Sequence, residues 1–462
     1  MNSLVMRFRV RQLLLPALLG CVSAWSQAPP AVESSIAEAM KLASSGNLQR
    51  AEEILLQLEK THPKHWEVQY RLGLVLLRQQ KTAPAGVRLE EAVRLAPRSP
   101  LVWLGAAQTR WQLDRREEAI EAADRALALA PQEPGVARAL AMFYAQAGEF
   151  GKAADQELRW AEASPQDRQS PARAAELYLR AGNADKAIQL AEQILARGDS
   201  AAVRNLLGQA YRQKGDPARA VEELQKAIRL DPGKPAYYFE LAQLFIDHRT
   251  PQPAVLALEE GLRRAPRQPE LLRLLGVAYL GTGDTAKALD AFLRLIELQP
   301  DSEVGYASLE TLVADAGSRL PDIAERLRGF CERNPANPIG YFLRARALQV
   351  EPSDKAVEIR VLLEKSIAVE PAFWPAHFEL HKLLLESGDT AAAARALEKT
   401  TALNPDYAAA HYSLAQLYAR LGDRERARRE REIHHALATR QREAAEERRQ
   451  ETPRLPYTIV EP

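Results

Sequence analysis

Residues 269–300 read PELLRLLGVAYLGTGDTAKALDAFLRLIELQP. Leu271, Leu272, Leu275 and Tyr279 recur at three- and four-residue spacing, the period of an amphipathic helix. Gly283 interrupts the pattern and Asp284 follows it. A glycine there ends a helix in a left-handed turn, and an aspartate just after it caps the next one. The apolar period then resumes through Ala288, Phe292 and Ile296 to Pro300. Proline cannot continue a helix, so it closes the second helix and starts a connection. The stretch therefore reads as helix, tight turn, helix, stop.

The same punctuation recurs along the chain. Prolines stand at 63, 97, 131, 165, 232, 266, 300, 335, 371 and 405, at intervals of 34, 34, 34, 67, 34, 34, 35, 36 and 34. The interval of 67 is two periods with one proline missing and one residue deleted near Gly198. Gly46, Gly148, Gly182, Gly215, Gly283, Gly388 and Gly422 each precede an alanine by five residues and are followed by Asn, Asp or Glu. A fixed period of this length marks a repeat architecture, in which one hairpin cannot bury its apolar faces alone and neighbours must stack.

Composition agrees. Of 462 residues, 46% are hydrophobic but only 6% aromatic, so Ala and Leu supply the core. Both are strong helix formers, and the fold class expected is all-α. The formal net charge is +1, which offers no electrostatic reason to expect a nucleic-acid partner.

Several landmarks recur together in register. Residues from Ala201 show Leu207-Gly208, Tyr211, Gly215, Ala220, Leu224, Ala227 and Pro232. Those from Pro269 show Leu275-Gly276, Tyr279, Gly283, Ala288, Phe292 and Pro300, and those from Trp66 show Leu72-Gly73, Leu76, Ala85, Leu89, Ala92 and Pro97. The set resembles the tetratricopeptide repeat, over about residues 32–440. Twelve repeats are expected, beginning near residues 32, 66, 100, 134, 168, 201, 235, 269, 303, 338, 374 and 408. Residues 32–302 hold repeats one to eight and 303–373 hold two divergent ones. The repeat from Glu303 carries Gly317 and Pro321 in place of the usual glycine, and the one from Pro338 is two residues longer around 351–354. Residues 374–440 hold repeats eleven and twelve. A charged helix running to about 451 follows, with nine Arg and eight acidic residues between Asp423 and Glu451, and residues 452–462 form a disordered tail.

The resemblance implies a right-handed superhelical solenoid that binds protein or peptide partners on a concave face lined by the first helix of each repeat. It implies ligand contacts at the second, fifth, ninth and twelfth places of that helix. In this chain those places hold Asn205, Gln209 and Arg212, then Phe239 and Gln243, then Arg273. Further on come Phe342 with Arg346, Phe378 with Lys382, and Tyr412 with Gln416. Amides suit the backbone of an extended peptide, aromatics supply anchor area, and Arg favours carboxylates. The set does not reproduce the Lys-Asn carboxylate clamp of chaperone-binding members. For Phe239, Phe342 and Phe378 the competing reading is packing against a neighbouring helix.

No catalytic constellation, metal site or cofactor motif is expected. His377 and His381 are four apart and His411 occupies the next repeat's equivalent place, but the metalloprotease order His-Glu-x-x-His is absent. His381 falls at a close-packed position. Cys331 lies on a helix pattern between Phe330 and Glu332 and reads as a buried structural thiol.

The first 28 residues read as an export signal. Arg7, Arg9 and Arg11 precede the apolar run from Leu13, which is too short for a confident membrane span. Cleavage after Ala24-Trp25-Ser26 or Ser26-Gln27-Ala28 gives a periplasmic or secreted chain with no transmembrane span. Leu18-Leu19-Gly20-Cys21 resembles the lipobox of bacterial lipoproteins, which gives the alternative of a membrane-anchored protein lipidated at Cys21. The function expected is a non-catalytic binding scaffold of the cell envelope or secreted space. The alternatives are an assembly lipoprotein and a regulatory subunit of an enzyme.

Overall fold

The structure, a computed structural model, describes residues 30–350 and 355–451. The export signal with Cys21, the insertion at 351–354 and the tail 452–462 lie outside these residues. Among the described residues there are 24 α-helices and no strand. The described residues form two compact units, divided between Ala220 and Val221.

Within each unit the helices come in pairs, here named A and B. The A helices begin at Pro30, Trp66, Pro100, Pro134, Ser170 and Ala201 in the first unit. In the second they begin at Pro235, Pro269, Glu303, Pro338, Trp374 and Ala408. Within each pair, and from pair to pair, neighbouring helices such as Trp66–Arg78 and Thr82–Leu95 pack on one another, and successive A helices such as Trp66–Arg78 and Pro100–Gln112 also touch. This is the nearest-neighbour stacking of a solenoid. The missing proline falls in the connection 196–200, where Asp199 accepts hydrogen bonds from the Ser200 N–H at 2.9 Å and from Arg204 Nε at 2.8 Å.

Glycine and its successor make the A–B turn. Gly283 has φ +82°, and the Asp284 N–H bonds back to the Tyr279 carbonyl at 3.0 Å. The Asp284 carboxylate then accepts the Lys287 N–H at 3.0 Å, and Asn47, Asn183, Asp216, Asp389 and Asp423 cap their helices in the same way. Three repeats make this turn without glycine. Gln80, Asp114 and Arg249 take φ of 64°, 63° and 55°, with the same return bonds from the Lys81, Arg115 and Thr250 N–H groups. A side chain in that region costs roughly 1 kcal/mol against glycine. Gln80→Gly is therefore expected to stabilise the protein by about 1 kcal/mol, read as a raised denaturant midpoint. A lowered midpoint contradicts this account of the turn.

Close approach of A to B depends on the leucine–glycine landmark. A Cβ on Gly276 would stand 2.4 Å from Phe292 Cε1 and Cζ, and one on Gly73 would stand 2.5 Å from Leu89 Cγ. The bare backbone is what lets the large B-helix residue seat against the A helix. Cys331 is buried in the same manner against Gly340, and burial pushes its thiol up from the ordinary value.

A second device joins consecutive repeats. Tyr144 donates to Asp124 at 2.6 Å, Tyr178 to Asp155 at 2.6 Å, Tyr211 to Glu192 at 3.0 Å and Tyr418 to Glu398 at 2.6 Å. Tyr279 pairs with Glu259. In each case the carboxylate belongs to the preceding B helix. A cation eight residues after the tyrosine lies over its ring: Lys152, Lys186, Arg219, Lys287 or Arg426, at 4.8–5.4 Å. Acid, phenol and cation thus staple B, the next A and the next B together.

Candidate functional site

The residues expected to touch ligand lie on A helices, and the structure treats them unequally. On helix Ala201–Lys214, Asn205, Gln209 and Arg212 are half-buried. The side-chain oxygen of Asn205 is buried without a hydrogen-bond partner. An acceptor in that condition carries an unpaid desolvation cost that a donor from a ligand relieves.

In the second unit, Phe239, Gln243 and Arg273 are half-buried. Gln243 already donates its amide to Asp247 at 2.8 Å. Phe342 does not present itself as a ligand contact. It is 2% exposed, with its ring 5.5 Å from Phe373 in an edge-on arrangement. The repeat before it is irregular. Helix Glu303–Ala307 has only five residues and is followed by 3-10 turns at Val313–Asp315 and Gly317–Arg319. The first of these turns packs on helix Pro338–Val350.

Further along, the structure assembles a cluster that spacing alone did not disclose. Glu379, with its side chain 5% exposed, accepts from Arg346 at 2.9 Å and Lys382 at 2.8 Å, and Gln349 stands at 3.4 Å. Burial of an ion is tolerated when the charge is paired and bonded in this way. The Phe378 ring meets the Tyr407 ring edge-on at 4.9 Å, and Lys382 lies over Phe378 at 5.2 Å. Arg346, Phe378 and Lys382 were thus read from the sequence, whereas Glu379, Gln349 and Tyr407 were not. Glu379 sits between a half-buried Arg346 and an exposed Lys382, and the available signal was its place three residues before Lys382. Tyr412, 50% exposed, and Gln416, also exposed, complete the set. The Tyr412 ring lies 5.3 Å from that of His434.

At the equivalent places in the second and third repeats Glu67, Tyr70, Leu74, Leu77, Leu101, Leu104 and Gln108 are buried and Trp111 is half-buried.

The histidines do not converge. His381 contacts the carbonyl of Phe378 in its own helix, and burial pulls its ring down from the ordinary value. His377 bonds the Pro371 carbonyl and His411 bonds Glu430. Among the described residues no group of three or more His, Cys, Asp or Glu side chains is placed to hold a metal ion. No described helix is long and apolar enough to cross a membrane.

Family models described as tetratricopeptide repeat match residues 36–100, 85–134, 104–168, 173–235 and 239–303, and a second such model matches 384–430. The chain belongs to the tetratricopeptide repeat family. Residues 304–383, outside the matched segments, include the repeat whose A helix is cut to Glu303–Ala307. The chain is similar to tetratricopeptide repeat protein 37 of Xenopus laevis, 22% identical over 266 residues. That match covers 56% of this chain and 15% of the relative, so the chain spans a small part of that protein's length. Among solved structures it is similar to one of Naa15/Naa10 bound to HypK-THB, with 18% identity and a TM-score of 0.45, covering 87% of this chain and 68% of that one. It is also similar to the APC/C hetero-tetramer Cut9–Hcn1, with 11% identity and a TM-score of 0.37, covering 89% and 95%.

Proposed function

We propose that this tetratricopeptide repeat protein is a non-catalytic scaffold that captures a protein or peptide partner on its A-helix face. The observation that carries the reading is Asn205, whose buried acceptor lacks a partner at a place where the family grips ligand. Gln209 and Arg212 lie one and two turns on, which supplies an amide and a cation beside that acceptor. The cluster of Arg346, Glu379 and Lys382 beside Phe378 and Tyr407 offers a second contact region with aromatic walls. The partner is a protein rather than a nucleic acid, since a net charge of +1 supplies no phosphate-attracting field. The setting proposed is the periplasm or secreted space, on the strength of the leader chemistry from Arg7 to Ala28. Leu18-Leu19-Gly20-Cys21 favours a second reading, a membrane-anchored lipoprotein. Intact-mass analysis of the mature chain separates the two, because only the second has a diacylated Cys21 at its N-terminus.

The binding test is the triple variant Asn205→Ala, Gln209→Ala, Arg212→Ala. Capture of cross-linked partners, identified by mass spectrometry, is expected to fall about tenfold or more, the loss of one to two hydrogen bonds at a desolvated site. Capture that is unchanged, with helicity also unchanged, removes this face as the site.

A further inference from the structure

Helix Glu303–Ala307 stops after five residues, where regular A helices of the same unit run for thirteen or fourteen. Glu310 stands in the turn that follows, its N–H bonded to the Ala307 carbonyl at 3.1 Å. Side chains from successive repeats converge on it. The Glu310 carboxylate feels the charges of Arg346, one repeat on, and of Glu379, two repeats on. The Tyr407 hydroxyl, at the N-cap of helix Ala408–Arg420, feels Glu379, Glu310 and Arg346. Repeats nine, ten and eleven and the threshold of the twelfth thus contribute to one place.

The charges there are unevenly matched. Glu379 takes both Arg346 at 2.9 Å and Lys382 at 2.8 Å. Glu310 takes neither, and among the described residues no hydrogen-bond donor reaches its carboxylate. It remains open to solvent, yet the protein around it displaces enough water to hold its carboxyl above the ordinary range. Arg346 offsets that effect in part and Glu379 adds to it. An anion in this condition gains from a cation brought to it. Aromatic walls stand nearby. The Tyr407 ring lies 4.6 Å from Trp374 and 4.9 Å from Phe378, and the face of such a ring attracts a cation. The chain already makes this pairing once, since Lys382 Nζ is bound to Glu379 and lies over Phe378 at 5.2 Å.

We propose, on the reading of the A helices as the partner-binding face, that Glu310 and Tyr407 receive a cationic side chain, a lysine or arginine of the partner. The ammonium or guanidinium pairs with the Glu310 carboxylate and lies against the Tyr407 ring, as Lys382 does with Glu379 and Phe378. An acidic ligand is disfavoured, because it meets Glu310 and finds Arg346 and Lys382 already bonded.

The test uses the full chain and fluorescein-labelled Ser/Ala peptides that differ only in one central residue: lysine, glutamine or glutamate. Binding is read by anisotropy. The lysine peptide is expected to bind about tenfold more tightly than the glutamine peptide, the worth of one charge-assisted hydrogen bond. The glutamate peptide is expected to bind no better than the glutamine peptide. Glu310→Gln is expected to abolish the preference for lysine. Glu117→Gln, which removes the same charge from an exposed place in the first unit, is expected to keep it. Circular dichroism confirms that each variant folds. A second measurement needs no variant. A carbodiimide joins the lysine Nζ to an adjoining carboxyl with loss of water, and mass spectrometry is expected to find the peptide on Glu310. Equal binding of the lysine and glutamine peptides, binding of neither, or a preference that survives in folded Glu310→Gln overturns the site. Coupling that leaves Glu310 unmodified overturns it equally. Failure of the binding face itself is read separately, from partner capture by the variant at Asn205, Gln209 and Arg212.

Discussion

Phe292→Ala is expected to cost about 3–5 kcal/mol, the range for removing a buried aromatic ring. Phe292 is 1% exposed, and its ring fills the space that Gly276 leaves open. Truncation empties that space, and the rigid A-helix backbone cannot follow to close it. The reverse change, Gly276→Ala, drives a methyl group into the ring and is expected to cost about 1–3 kcal/mol through overpacking. Stability in a stacked array is a sum of local terms. The loss should therefore appear first as faster amide exchange in Pro269–Thr282 and Thr285–Leu298, with distant repeats less affected. Denaturant unfolding measures the total. A loss below about 1 kcal/mol for Phe292→Ala, or one spread evenly over all helices, contradicts the lock between Gly276 and Phe292.

Raising the pH above about 10 is expected to destabilise the protein steeply, because several staples depend on a protonated phenol. Burial and the adjoining Asp or Glu raise Tyr144, Tyr178 and Tyr279 well above the ordinary value of 10.0, and Tyr418 is pushed up to about 12. Tyr211 moves in the same direction. The folded chain therefore holds these protons over a range where the unfolded chain has released them. Their contribution is complete below pH 10 and is lost as pH climbs through the folded values. Each tyrosine adds a slope of about 1.4 kcal/mol per pH unit in that window. The variant with Tyr144, Tyr178, Tyr279 and Tyr418 changed to Phe lacks those protons. It is expected to be less stable at neutral pH but to show a much shallower decline between pH 10.0 and about 12. An unchanged slope in that variant means that other groups govern alkaline unfolding.

The repeat was legible in the chain because its punctuation is local. Proline removes a donor and glycine permits a left-handed turn regardless of what surrounds them, so the A helices begin at or within two residues of the places the spacing indicated. The turns at Gln80, Asp114 and Arg249 were not legible. There no residue prefers the left-handed region, and packing of the two helices imposes it. The candidate face was legible in part. Family places identified Asn205, Arg346, Phe378 and Lys382, but register along a helix says nothing of what lies across from it. Phe342 is buried with its ring edge-on to Phe373, and Glu379 gathers Arg346 across 33 residues of chain.

The sequence by itself determined the period, the helix ends, the caps and the small-against-large pairing within each hairpin, since all of these are set by backbone chemistry within about one repeat. Tertiary structure alone decided which A-helix side chains are presented, which acids take up which cations, and that His411 meets Glu430. Those outcomes depend on distances between helices, and such distances are set by how every layer packs on the last.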